Sequence, residues 1–208
     1  MEQRIAGLLA EWERRNIRGS FVSGRQEAAQ AVLGLIPHQA AVGFSGSVTL
    51  HELGIIRLLE ERGNKVFDPY KSGLSREESL ELRKQGAQAE VFLASANAVS
   101  QTGQLVFLSA VGNRTSGIAY ARQVIAVCGI NKIVPTLPEA LRRAREYATP
   151  RNCKRLGWNT PCAADGVCRD PECRFPVYKR MCAQTLIIEA EVELGRFNVV
   201  LVDESLGY

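Results

Sequence analysis

The 208-residue chain has no run of about 18 apolar residues, so no membrane-spanning helix is expected. Its opening, MEQRIAGLLAEWERRN, carries acids and lacks the apolar core of a cleavable signal. It reads as a helix, and the cytoplasm is the expected location. No internal repeat and no low-complexity tract is visible, and neither the Walker A loop nor the dinucleotide fingerprint occurs. Charge of one sign is scarce: 26 Lys and Arg against 22 Asp and Glu leave +4, too little to argue for nucleic acid. With 46% hydrophobic and 23% charged residues, the chain is neither a disordered polymer, a collagen nor a simple coiled coil. One domain is expected over 1–208, long enough to bury a core without disulfides or metals.

What charge there is collects in one place. From Arg142 to Arg180 there are ten Lys or Arg and four acids, a local +6 (10 − 4), while the rest of the chain is slightly acidic. Such a patch suits an anionic small molecule or a polyanion, or is simply a solvated face. Five of the six cysteines, Cys153, Cys162, Cys168, Cys173 and Cys182, fall in the same region; Cys128 stands apart. Where thiols are kept reduced, this grouping points to metal binding or redox chemistry before a disulfide framework.

Helical periodicity covers 2–16, with Ile5, Leu8, Leu9 and Trp12 on one stripe, and 24–36, which Pro37 ends. The apolar run 40–44 reads as a buried strand. Phe44-Ser45-Gly46-Ser47 then turns into an amphipathic helix that stops at Gly63-Asn64. A short strand at 65–67, a helix over 75–86 opened by a Ser75/Glu78 capping box, and a strand at 90–94 follow. Residues 97–100 and 104–108 flank Thr102-Gly103 as a hairpin. After a short helix, 123–129 reads as a central parallel strand and 137–148 as a helix ending before Thr149-Pro150. Strands over 185–190 and 197–203 close the chain. The alternation predicts one three-layer α/β domain with a mostly parallel central sheet, a β-hairpin, and an irregular Cys-rich insertion over 150–183.

Four places carry chemistry. The turn between strand and helix offers backbone N–H groups with the hydroxyls of Ser45, Ser47 and Thr49, and Gly46 lets an anion approach; the plain alternative is a turn with a helix cap. Glu52, three residues after Thr49, is either a capping partner or an acid–base group facing that pocket. Asn97, Asn113 and Arg114 lie at strand ends and loops and suit a planar anion, or ordinary turn chemistry. Lys132 follows the strand 123–129 directly, where α/β sheets place their ligands, and is a candidate for anion binding or proton transfer, or is simply an exposed loop lysine. Finally, Cys162, Cys168, Cys173 and Cys182, with Cys153 as a spare, can close around Zn or an iron–sulfur cluster. No pair has the C-x2-C spacing, so reactive, paired or simply buried thiols compete with that reading.

The segments GFSGSVTLHELGI, GNKVFDPYKSGLSREES, NAVSQTGQLVF, GNR, GINKIV, ALRRAREYATPRN and LVDESLGY, in that order, resemble the LUD-domain, or lactate-utilization, family. The resemblance runs from about residue 3 to the C-terminus. It implies a NagB/RpiA/CoA-transferase-like fold, similar to the sugar-phosphate isomerase and CoA-transferase superfamily, with ligands at strand ends. It also implies a role in the use of lactate or a related organic acid beside iron–sulfur partner proteins. The expected function is therefore a LUD-type protein that binds an anionic small molecule, with Glu52 and Lys132 as acid–base groups. Two alternatives are an iron–sulfur or zinc-binding electron-transfer accessory subunit and an isomerase or CoA-transferase-like enzyme. Whether the chain is catalytic is left open. The expected partners are the anion, iron–sulfur proteins and a second copy in a homodimer.

Overall fold

The computed structural model describes residues 2–208. Its main sheet has six strands, all parallel, in the order β1 (Arg18–Val22), β10 (Phe197–Val202), β7 (Gln123–Gly129), β4 (Val91–Ala94), β2 (Val42–Phe44), β3 (Val66–Phe67). A second sheet of four strands runs β8 (Ile133–Val134), β5 (Ala98–Ser100), β6 (Leu105–Ser109), β9 (Gln184–Ile188). The expected hairpin is its β5–β6 pair, joined through Thr102-Gly103.

The near-continuous apolar strands are those buried on both faces, as a covered parallel sheet requires. Along β7, Val124, Ala126 and Cys128 belong to one core, shared with Ile5, Leu8 and Trp12 of α1 (Glu2–Arg14), Ile118 of α6 (Asn113–Tyr120) and Leu105 and Phe107 of β6. Ile125 and Val127 belong to the other, with α2 (Arg25–Leu35), α3 (Val48–Glu52) and α4 (Ile55–Glu61). Val106 and Leu108, on the outer face of β6, form a third core with Ala140 of α7 (Leu137–Arg142) and Ala144. Two-residue alternation thus assigns each strand's side chains to separate layers. The expected three-layer α/β domain with an extra hairpin is what forms.

Three local features differ from expectation. Strand β1 was not anticipated: its sequence, RGSFV, is exposed except at Val22, because it is an edge strand. The single helix expected after the 45–47 turn breaks at Leu53-Gly54 into α3 and α4. The helix expected to end before Thr149-Pro150 instead passes through a π-helical segment, Arg143–Ala148, into α8 (Thr149–Leu156). Pro150 falls where the π-helical segment gives way to α8, so the helix runs through it. The Thr149 hydroxyl donates to the Ala144 carbonyl at 2.9 Å across the widened turn.

Helix α5 (Arg76–Ala87), with its Ser75/Glu78 capping box in place, docks on β2 at two glycines. A Cβ on Gly43 would lie 1.8 Å from the Gly86 carbonyl oxygen, so helix and strand meet backbone to backbone. Because the main strands are parallel, β2, β4, β7 and β10 end on one edge. Their exits, Ser45–Thr49, Ser95–Asn97, Ile130–Lys132 and Asp203–Tyr208, converge there.

Candidate functional site

At that edge lies a half-open cleft of about 360 Å3, lined by Gly46, Ser47, Val48, Thr49, Ser95, Ala96, Asn97, Arg114, Lys132, Asn152, Gly207 and Tyr208. Lys132 is its centre, only 3% exposed. Its ammonium donates to the Thr49 hydroxyl at 2.9 Å and the Ser95 hydroxyl at 2.7 Å, which leaves one of its three N–H groups for a ligand. Burial pushes its pKa down to about 8; the nearby Arg143 and Arg114 push the same way, while Cys128 and the more distant Glu52 oppose them. Cys128, below it in the core, is held as a neutral thiol by its own burial.

Arg114 clamps three segments. Its Nε donates to Ser45 Oγ (3.0 Å), Nη1 to Asn97 Oδ1 (3.1 Å) and the Leu108 carbonyl (3.0 Å), and Nη2 to the Gly46 carbonyl (2.6 Å). Four of its five donors are thereby used within the protein. Arg143, on the π-helical segment, donates to the carbonyls of Asn97 and Asn131. All the acceptors of these three cations are neutral. None of the three forms an ion pair with a carboxylate among the described residues.

The turn at 45–49 divides its groups between structure and cleft. Ser47 caps α3 by accepting the Leu50 N–H at 3.3 Å, Ser45 is held by Arg114, and the Gly46 N–H donates to the Tyr70 hydroxyl at 2.7 Å. The N–H groups of Ser47, Val48 and Thr49 have no acceptor within the described residues. Glu52 is exposed at the rim, where its carboxylate accepts the Gly207 N–H at 2.9 Å. Asn113 opens α6 beside Arg114 but, like Ser45 and Glu52, is not part of the cleft lining.

Six lining residues lay outside the sequence-based set: Val48 and Ala96, neighbours of residues within it, and Ser95, Asn152, Gly207 and Tyr208. Ser95 follows the strand β4 as directly as Lys132 follows β7, so the strand-end rule could have found it. Asn152, Gly207 and Tyr208 arrive from afar. The tail after β10 folds over the cleft, held by Asn131, which accepts the Leu206 N–H and donates to the Gly207 carbonyl. Gly207 adopts φ +56°, and a Cβ there would meet Thr49 Oγ1 at 2.8 Å. Tyr208 then reaches α8, accepting from Arg155 at 2.7 Å and donating to Asn152 at 3.3 Å.

On the other side of α8, Cys153, Cys162, Cys168, Cys173 and Cys182 line one pocket of about 300 Å3 with Arg145, Arg169 and Asp170. All are free thiols. Burial, with the neighbouring Cys162 and Cys182, pushes the Cys153 thiol up to about 12, against a hydrogen bond to Thr160. Among the described residues, no three His, Cys, Asp or Glu groups are arranged to hold a metal ion.

No described helix is long and apolar enough to cross a membrane. No curated protein matched the chain. Among solved structures, a DUF162 family protein from Deinococcus radiodurans superposes with a TM-score of 0.53 at 11% identity, covering 97% of this chain and 96% of that one. Ribose 5-phosphate isomerase A from Neisseria gonorrhoeae overlaps 54% of each chain at 17% identity and a TM-score of 0.36. The ribose 5-phosphate isomerase from Plasmodium falciparum overlaps 53% of this chain and 52% of its own at 15% identity and 0.35. The family model of the LUD domain matches residues 5–202, almost the whole of the α/β body just described, and the chain therefore belongs to the LUD domain family.

Proposed function

We propose that this LUD-domain protein binds a small organic acid, lactate or a close relative, at the Lys132–Arg114 cleft. One observation carries the reading: Lys132, Arg114 and Arg143 converge at one sheet edge and bond only to neutral oxygens. Taking cations out of water without a counter-ion is costly, and a bound anion offsets that cost. The carboxylate would take the free N–H of Lys132, the remaining Arg114 N–H and the amides of Ser47, Val48 and Thr49. Asn97, Asn152 and Tyr208 would contact its hydroxyl or oxo end. With its pKa near 8, Lys132 can also exchange a proton with a hydroxy or oxo group at neutral pH. Glu52 would act through the Gly207 contact it makes at the rim.

The test is thermal unfolding with L-lactate, pyruvate, inorganic phosphate, ribose 5-phosphate and acetyl-CoA, on the native chain and on Arg114→Gln and Lys132→Met. An organic acid at a hundred times its Kd adds about 2.7 kcal/mol, and each variant should lose most of that. Because the ammonium is the ligand's partner, affinity should fall as pH rises through about 8. A shift given only by the sugar phosphate or the CoA ester would favour the isomerase or transferase reading. No shift with any probe, or equal shifts in the variants, would overturn anion binding at this cleft.

A further inference from the structure

The segment after α8 is ordered without a core of its own. Between Lys154 and Ala183, only Thr160 and Cys162 are buried. Phe175 is 88% exposed, Val177 and Val167 are also exposed, and Trp158 and Tyr178 are only half-buried. Of this stretch, only Cys182 contributes to any of the three cores. Local bonds hold the rest: Lys179 N–H to the Asn159 carbonyl at 2.8 Å, Asn159 Nδ2 to the Val177 carbonyl at 3.0 Å, and surface ion pairs of Arg169 with Asp165 and of Arg180 with Asp170. Exposed pairs of that kind contribute about 0–1 kcal/mol each, against roughly 1–2 kcal/mol to fix each residue's backbone.

Yet this coreless segment delivers Cys162 from α9 (Cys162–Asp165), Cys168 and Cys173 from the flanking loops, and Cys182 from the approach to β9, all to one partly open pocket floored by Cys153. Thiols gain little from facing one another, since each is a weak donor and a weak acceptor. Two of them reach an oxygen, Cys162 at Thr160 Oγ1 and Cys173 at the Lys179 carbonyl, each at 3.4 Å, and these are weak bonds. Their convergence needs a common partner. A single ion is disfavoured, because no three of these groups stand around one point as a tetrahedral Zn site requires. A polynuclear cluster differs in that its irons and sulfides fill the space themselves, so its thiolates lie farther apart around a cavity.

We propose that this pocket binds an iron–sulfur cluster through Cys162, Cys168, Cys173 and Cys182, with Cys153 beneath it as a non-ligand. On binding, each of the four thiols releases one proton to solvent and forms one S–Fe bond. Arg145, which lines the same pocket and forms no ion pair among the described residues, offsets part of the charge of the resulting thiolate shell; Arg169 is paired with Asp165.

The full chain, purified anaerobically or reconstituted with ferrous iron, sulfide and a thiol reductant, should be brown. It should hold iron and acid-labile sulfide in equal amounts, and the 157–183 segment should become resistant to protease. Cys168→Ser and Cys182→Ser should each lose most of the bound iron and the colour, while Cys153→Ser keeps them. Far-UV circular dichroism and the unfolding midpoint of the metal-free variants control for misfolding. A well-folded protein that stays colourless and iron-free after reconstitution overturns the proposal. So does stoichiometric zinc without sulfide, or iron loading that survives Cys168→Ser and Cys182→Ser together.

Discussion

The cation cleft and the thiol pocket lie on either side of one helix, but they are built in opposite ways. The cleft is made of strand ends, and its central residue, Lys132, is anchored in two hydroxyls of the sheet edge. Its geometry is enforced by the same cores that hold the fold together. The thiol pocket is made by a surface segment with almost nothing buried, and three of its five thiols, Cys168, Cys173 and Cys182, come from loops. A site on rigid elements is preformed and gives its ligand orientation. A site on a coreless segment can take its order from the ligand.

The contrast can be broken from the scaffold first. Gly43→Ala forces a Cβ to within 1.8 Å of the Gly86 carbonyl. It should cost more than about 3 kcal/mol, seen as a collapse of the urea midpoint, and the cleft should disappear with it. A near-native midpoint would mean that α5 can slide away from β2. Next in size is the Lys132 titration. Its folded pKa, about 8, is depressed below its unfolded value, so between the two the unfolded chain binds more protons. Stability of the ligand-free protein should therefore rise with pH across that window, by an amount on the order of 3 kcal/mol, and be flat in this term below it. Comparing urea midpoints of the native chain and Lys132→Met at neutral and alkaline pH isolates it; parallel curves would refute the buried ammonium.

Gly207→Ala should cost about 1–2 kcal/mol, from the left-handed backbone and the 2.8 Å approach to Thr49. It should weaken organic-acid binding by lifting the tail off the cleft. An unchanged Kd would show the tail to be a bystander. Smallest of all, Cys168→Ser in the metal-free protein should stay within about 0.5 kcal/mol of the native chain, because the thiol is half-buried and anchors no core. A large loss there would erase the distinction between the two regions.

The same distinction governs what could be read from the chain. Strands β4, β6, β7 and β10 announce themselves as apolar runs because both faces are covered. Strand β1 does not: Arg18 to Phe21 face solvent, and only pairing with β10 makes them a strand. Thr149-Pro150 reads as a stop, since a local rule cannot see the π-helical turn that precedes it. At the cleft, Thr49, Asn97, Arg114 and Lys132 sit beside turns and strand ends and were identifiable from them. Ser47 was legible only as one of two alternatives, and its hydroxyl takes the cap. Asn152 and the Gly207-Tyr208 tail were not legible, because only contacts between segments far apart in the sequence bring them in.

The position of β10 has a kinetic consequence. It lies between β1 and β7, and its pairing partners along the chain are Arg18–Val22 at one extreme and Gln123–Gly129 on the other side. During synthesis the sheet must wait with a vacancy beside its longest strand until residues 197–202 leave the ribosome. Such long-range parallel pairing closes slowly, and meanwhile two adhesive strand edges are exposed to other chains. The tail that roofs the cleft follows this strand, so the ligand site is completed only after β10 has paired, and an anion present at that moment would select for chains in which this strand has gone in correctly.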